Sequence, residues 1–179
     1  MEELERESLK ASAQSVPFTV INRESYGVTI SSPMATEISP RSVSNLSCIL
    51  TNNTSKPVIG FVVLWTLWMA DGEKSTGAVS SGASPIKSSA IIQPGESIGT
   101  YDPGIEESTT TSPVNPFVRI YVCLDYVLLA DGSNVGKDTL KLGQRMSHER
   151  RGANQLRDQL LQLYQEKGVA AVLQELRTN

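Results

Sequence analysis

Hydrophobic and polar positions divide the chain into two textures. From Pro17 to about Leu142, apolar residues come in short runs rich in Val, Ile, Thr and aromatics, bounded by Gly, Pro, Asn and Ser. These are the marks of strands and turns. "FTVIN" and "YGVTI" are two short β-prone runs split by "RES", and "SSPMATEISP" is a loop with two prolines. Leu46, Cys48 and Leu50 alternate with Ser47 and Ile49, which predicts a half-buried strand closed by the turn cluster "TNNTSKP". Val58 to Ala70 is an apolar run of 13 residues that stops at Asp71-Gly72. Rich in Val, Trp and Phe, it predicts a strand buried on both faces. Residues 72–90 are rich in Gly and Ser and predict a loop with one or two weak edge strands. "AIIQPGESIGTY" predicts a strand, a Pro-Gly turn at 94–95 and another strand, and "DPGIEESTTTSPVNP" a long polar loop. Phe117 to Leu129 is the second strong strand, ending before Asp131-Gly132. Simple alternation assigns Val118, Ile120, Val122, Leu124, Tyr126 and Leu128 to its core face. Arg119, Tyr121, Cys123, Asp125 and Val127 fall on the other. Lys137 to Leu142 is expected to pair back as a short strand.

After Gly143 the period changes. Ala153, Leu156, Leu160, Leu163 and Tyr164 recur at helical spacing, with Ser147 as the expected N-cap and Gly168 as the expected C-cap. Val169 to Arg177 restarts as a short helix with Val172, Leu173 and Leu176 apolar. Short helices are marginal alone in water, so this tail must pack on the β domain, on a second copy or on a partner. The expected organisation is an N-terminal arm or short helix (1–16), a β-sandwich (17–142) and a helical tail (143–179). The fold class is mainly β: an antiparallel immunoglobulin-like β-sandwich with a C-terminal α-helical tail.

Composition narrows the partners. The 179 residues suit one domain plus an appendage, with a formal net charge of −3. The first ten residues are net −2, residues 141–179 are net +3, and the stretch between is net −4. No basic stripe with interleaved aromatics appears, which argues against nucleic acid, and Arg150-Arg151 reads as a solvated helix face. The longest apolar run is too short for a transmembrane helix. "MEELERESLK" has no apolar core of the export-signal type.

Cys48 on an early strand, Trp65 on the next strong one and Tyr121-Val122-Cys123 on a late one resemble the Cys…Trp…Tyr-x-Cys order of immunoglobulin-like domains. The resemblance implies the layout of the sheets. It does not extend to the disulfide, because alternation puts Cys123 away from the core face and a bridge to Cys48 would need a β-bulge. Two free, mostly buried thiols are expected. "NNTSKPVIGFVVLW" and "DYVLLADGSNVGKD" resemble stretches of uncharacterised bacterial proteins, many of them exported. The second carries Asp125, Val127, Asp131-Gly132, Gly136 and Asp138. This resemblance implies a bacterial, extracytoplasmic protein (periplasmic or secreted) whose export signal is absent from this chain, with a cytoplasmic location as the alternative. It implies no established activity.

Candidate chemistry is sparse. The single histidine, His148, is expected on the tail helix, away from any nucleophile, and Glu106-Glu107 lie in a polar loop where adjacent carboxylates stay solvated. Asp131, Ser133, Asn134 and Asp138 offer hard oxygen donors, to which Asp102 or Asp125 would have to be added. Ca²⁺ takes six to eight oxygens, so Asp131, Asn134 and Asp138 are weak metal candidates. A tight Asp-Gly hairpin explains the motif with less. "NLS", "NNT" and "NTS" match the glycosylation pattern, but Asn52, Asn53 and Thr54 read better as an Asx-type turn. Trp65 and Trp68 fall on opposite faces of one strand. One is core, and Trp68 is a possible ligand surface. No cofactor is expected. The chain reads as a non-enzymatic binding or structural protein acting through loops and tail, with an unknown protein partner or self-association. The alternatives are a ligand-binding module for Ca²⁺ or carbohydrate, and a hydrolase.

Overall fold

The computed structural model describes residues 16–38, 42–82, 91–106 and 117–178. The expected N-terminal arm lies outside these residues, except for Val16. Nine strands are described: β1 (Phe18–Ile21), β2 (Val28–Met34), β3 (Glu37–Ile38), β4 (Ser42–Asn52), β5 (Val58–Met69), β6 (Lys74–Gly82), β7 (Ser97–Glu106), β8 (Phe117–Leu129) and β9 (Asn134–Gly136). The helix α1 spans Leu142–Thr178. One sheet runs β1-β8-β5-β6, with β9 also on β8. The other runs β2-β4-β3, with β7 also on β4. β1 is parallel to β8, and the other pairings are antiparallel.

The two sheets share one core. Ile30 from β2 and Leu46, Cys48 and Leu50 from β4 meet Trp65 and Leu67 from β5 and Ile120 and Val122 from β8. A second cluster lies on the outer face of the first sheet. There Ile59, Val62, Leu64, Tyr126 and Leu128 pack with Leu142 and Met146 of α1. This second cover is why β5 is apolar on both faces, as its sequence predicts.

β8 departs from simple alternation. Val62 faces Tyr126 and Val63 faces Leu124, so Asp125 is an extra, unpaired residue: a β-bulge. Ahead of it Ile120, Val122 and Leu124 point into the main core. Behind it Val127 and Leu129 do, while Tyr126 and Leu128 turn to the outer cluster. The single core face expected from sequence is therefore wrong for Tyr126, Leu128 and Val127. It is also wrong for Val118, which is 47% exposed. The bulge follows Cys123 and leaves that thiol on the outer face, whereas Cys48 is in the core. Both cysteines are free.

Turn chemistry fixes the connections. Asn52 is fully buried at the end of β4. Its amide donates to the carbonyls of Lys56 (2.9 Å) and Ile92 (3.2 Å). Its Oδ1 accepts from the Thr54 amide (3.0 Å) and hydroxyl (2.7 Å), the expected Asx-type turn. At Pro94-Gly95 the Glu96 amide donates to the Gln93 carbonyl at 3.0 Å, and Gly95 takes φ +78°. Ile92 makes a single bridge to Val58 rather than the expected strand. β7 continues to Glu106, past the predicted start of the polar loop, because Gly104, Ile105 and Glu106 pair with Ser44, Val43 and Ser42. Its continuation, residues 107–116, lies outside the described residues.

The tail starts earlier than predicted. β9 occupies Asn134–Gly136, and Lys137–Lys141 form the turn into α1 rather than a strand. Asp138 caps the helix from outside. Its carboxylate accepts from the amides of Gly143 (2.8 Å) and Gln144 (2.7 Å). These are two of the donors that a helix start leaves unpaired. Ser147 is thus inside the helix, with its hydroxyl 3.0 Å from that of Tyr126. Gly168, the expected C-cap, breaks the helical path with φ +76° and ψ −177°. Leu142 and Met146 are packed. Beyond Gly152, however, Leu156, Leu161, Tyr164, Val169, Leu173 and Leu176 are exposed. Among the described residues no helix is long and apolar enough to cross a membrane.

Candidate functional site

Ala70-Asp71-Gly72 and Ala130-Asp131-Gly132, which follow β5 and β8, are two copies of one turn. In the first, the Gly72 amide donates to the Met69 carbonyl and the Met69 amide to the Glu73 carbonyl, both at 3.0 Å. In the second, Gly132 and Leu129 make the same bonds to Leu129 and Ser133, both at 2.9 Å. Gly72 and Gly132 take φ +91° and +86°. This is the three-residue hairpin whose last residue must be left-handed, which favours Gly. In each the Asp carboxylate also accepts the amide two residues ahead.

The second hairpin differs in what surrounds it. With the start of α1 it walls a groove of about 630 Å³ floored by Ile59, Tyr126 and Leu128. Asp131, Asn134 and Asp138 all border this groove, so the sequence-based metal candidates are neighbours in space. The two carboxylates among them, those of Asp131 and Asp138, serve other roles. Asp131 pairs with Lys56 and accepts from Ser133, which holds its carboxyl well below the usual range. Asp138 caps α1. The two supplements are elsewhere engaged or distant in the fold. Asp125 accepts from the Thr139 amide and hydroxyl, both at 2.6 Å, and Asp102 lies on β7 of the other sheet. Among the described residues no group of three or more His, Cys, Asp or Glu is placed to hold a metal ion.

Trp65 is core, and Trp68 is half-buried on the outer face of the first sheet. Register puts Arg119, Trp68 and Lys74 in one row across β8, β5 and β6. The Lys74 ammonium lies 4.0 Å from the indole centroid, and the Tyr121 ring packs at 5.7 Å with a 51° tilt. One indole face is thus under a cation, a contact of about 0.5–1 kcal/mol at exposed sites. A sugar stacking on that face would displace Lys74.

His148 is exposed on α1 and borders the groove. Glu106 ends β7, and Glu107 lies outside the described residues. Of the glycosylation matches, Asn52 is fully buried and bonded through both side-chain atoms, so it is closed to a glycan. Burial pushes the Cys48 thiol up, partly offset by its contact with Thr100. Burial and then the Asp125 charge push Cys123 up, partly offset by Arg23 and Lys137. Both are therefore weak nucleophiles at neutral pH.

Sequence reading missed the groove's cations, Lys137, Arg150 and Arg151. The available signal was spacing: Ser147, Arg150, Arg151 and Asn154 recur at three and four residues and so share one helix face. The chain is thus a mainly β protein of two sheets with a groove between a hairpin and its C-terminal helix. No family model, curated protein or solved structure matches it.

Proposed function

We propose that this is a non-enzymatic binding or structural protein that assembles through its C-terminal helix, with a second copy of the chain as the partner. The carrying observation is the mismatch within α1: its start is packed, while Leu156, Leu161, Tyr164, Val169, Leu173 and Leu176 are exposed. Exposed apolar residues in that number on one element are the mark of a contact surface. Charge permits a second copy, because the helix beyond Gly152 carries Arg157, Lys167 and Arg177 against Asp158, Glu166 and Glu175, and so meets its own copy without net repulsion. The β domain is an immunoglobulin-like platform: β8 and β5 form the centre of one sheet, β4 the centre of the other, and Trp65 lies between them. The bacterial, extracytoplasmic setting rests on the two stretches that resemble exported proteins.

Sedimentation of the full chain over a wide concentration range tests the reading. The wild type should self-associate, and the double variant Leu161→Ser/Leu173→Ser should remain monomeric with unchanged circular dichroism. A wild type that stays monomeric throughout, or a variant that associates equally well, overturns it.

A further inference from the structure

We propose that the groove between the second hairpin and α1 binds an anionic small molecule with an apolar body, such as an alkyl or aryl carboxylate, sulfonate or phosphate. Three observations converge on it. First, Nη1 of Arg150 is shut off from solvent and has no hydrogen-bond partner, although Arg150 borders the groove. That unsatisfied donor costs free energy where it lies, and turning the guanidinium toward an anion in the groove would relieve the cost. The guanidinium fork matches a carboxylate, sulfonate or phosphate.

Second, the cations are outside any ion pair. Lys137 joins Arg150 and Arg151 at the groove, and among the described residues no carboxylate makes a salt bridge with any of the three. The acids at the rim are already committed, Asp131 to Lys56 and Ser133, and Asp138 to the first amides of α1. Glu149, on the same helix, is bound to Arg145. The lining thus sets three cations outside any ion pair against two carboxylates, of which Asp131 is paired with Lys56, so an arriving anion meets a net positive wall, at a site partly walled from water where such attraction is strengthened.

Third, the floor is apolar. Ile59, Tyr126 and Leu128 supply it, and the volume of about 630 Å³ is that of a small-molecule site. The walls are held firmly. A Cβ on Gly143 would fall 2.3 Å from the Tyr126 ring, and one on Gly136 2.1 Å from the Asp125 carbonyl, so helix and hairpin sit directly against β8. The ligand class follows from the lining: charge for Arg150 and Lys137, an apolar body for the floor. This site does not depend on assembly of the tail.

The probe is 1-anilinonaphthalene-8-sulfonate, an anion with an aryl body, titrated into the full chain by fluorescence. N-phenyl-1-naphthylamine is the uncharged control. The sulfonate should bind saturably at one site per chain and far more tightly than the control. Arg150→Gln should weaken it roughly tenfold or more, the loss expected for one charge-assisted contact, with a melting temperature no lower than that of wild type. Arg150→Lys should retain part of the affinity, and Leu161→Ser/Leu173→Ser all of it. Octanoate and octyl phosphate should displace the probe, the better of the two identifying the head group, while inorganic phosphate should not. Equal binding by Arg150→Gln, equal binding of the uncharged control, or loss of binding in the leucine variant overturns the proposal. Displacement by inorganic phosphate as effective as by octanoate does so too.

Discussion

Asn52 shows how one side chain can hold several segments together. It is fully buried, and its four hydrogen bonds tie the end of β4 to Thr54, Lys56 and Ile92. Its backbone joins in, with its amide donating to Glu96 and its carbonyl accepting from Gly95. Asn53 next to it is exposed and reaches only Thr29 and the carbonyl of Thr51 through its side chain. Asn52→Ala leaves the Thr54 amide without its acceptor and a void beside the core, and takes one of two donors from the carbonyls of Lys56 and Ile92, which keep the Thr54 hydroxyl and the Val58 amide. We predict a loss of about 3 kcal/mol, since a buried unsatisfied group costs about 1–3 kcal/mol and neighbouring losses overlap. Asn53→Ala should stay within about 0.5 kcal/mol of wild type, as exposed substitutions do. Urea unfolding of the two variants separates them, and equal midpoints would refute the assignment of the turn to Asn52. The sequence "NNT" marked the turn but not which asparagine carries it.

At the scale of elements, the bulge at Asp125 organises β8. It turns Tyr126 and Leu128 outward to receive α1, and it frees the Asp125 carboxylate to hold Thr139 and its carbonyl to accept the Asp138 amide at 3.1 Å. Strand, bulge and helix entry are thus one unit. Asp125→Ala leaves the Thr139 amide without its acceptor and loosens the turn that delivers the Asp138 cap. We predict about 2 kcal/mol of destabilisation, together with faster amide exchange at Gly143 and Gln144, while the β4–β7 pairing exchanges as in wild type. Uniform acceleration everywhere would show that Asp125 acts only on global stability. The same unit explains what was legible. β5, the Asp-Gly and Pro-Gly turns, the helical tail and its break at Gly168 follow from apolar runs, turn residues and period. The faces of β8 do not, because the alternation from Val118 to Leu128 continues unbroken through the bulge. The polar Asp125 inside an apolar run was the one visible cue. The start of α1 was hidden for a related reason: its cap comes from Asp138, beyond the usual capping position, and not from Ser147. The candidate trio Asp131, Asn134 and Asp138 led to the groove. Arg150, read as part of a solvated face, acquires its surroundings only when the tail folds back on β8.

The whole molecule has two kinds of tail contact, and truncation separates them. Leu142 and Met146 cover Ile59, Val62, Leu64, Tyr126 and Leu128, whereas Leu156, Leu161, Leu173 and Leu176 are exposed in the single chain. A chain ending at Arg151 keeps the first contact and loses the second. It should melt within a few degrees of the dissociated full chain and should not self-associate. A chain ending at Lys141 loses both. It gives up the partial burial of Leu142 and Met146, each worth less than the about 1.5–3 kcal/mol of a fully buried side chain, and opens Ile59, Val62, Leu64, Tyr126 and Leu128 on the outer face of the first sheet to water. For a domain of this size, about 3–5 kcal/mol lost at this seam corresponds to a drop in melting temperature on the order of 10 °C. The exposed face should also promote aggregation. Calorimetry and sedimentation of the two truncations, run side by side, give the decisive comparison. If both melt alike, the contact between α1 and the sheet contributes nothing. If the chain ending at Arg151 still self-associates, assembly lies elsewhere than the distal helix. The helix thus has two parts: an inner segment that packs on the sheet and walls the groove, and an outer one exposed in the single chain. The break at Gly168 falls within the outer part, where a change of direction spreads the exposed leucines over a larger surface without disturbing the sheets.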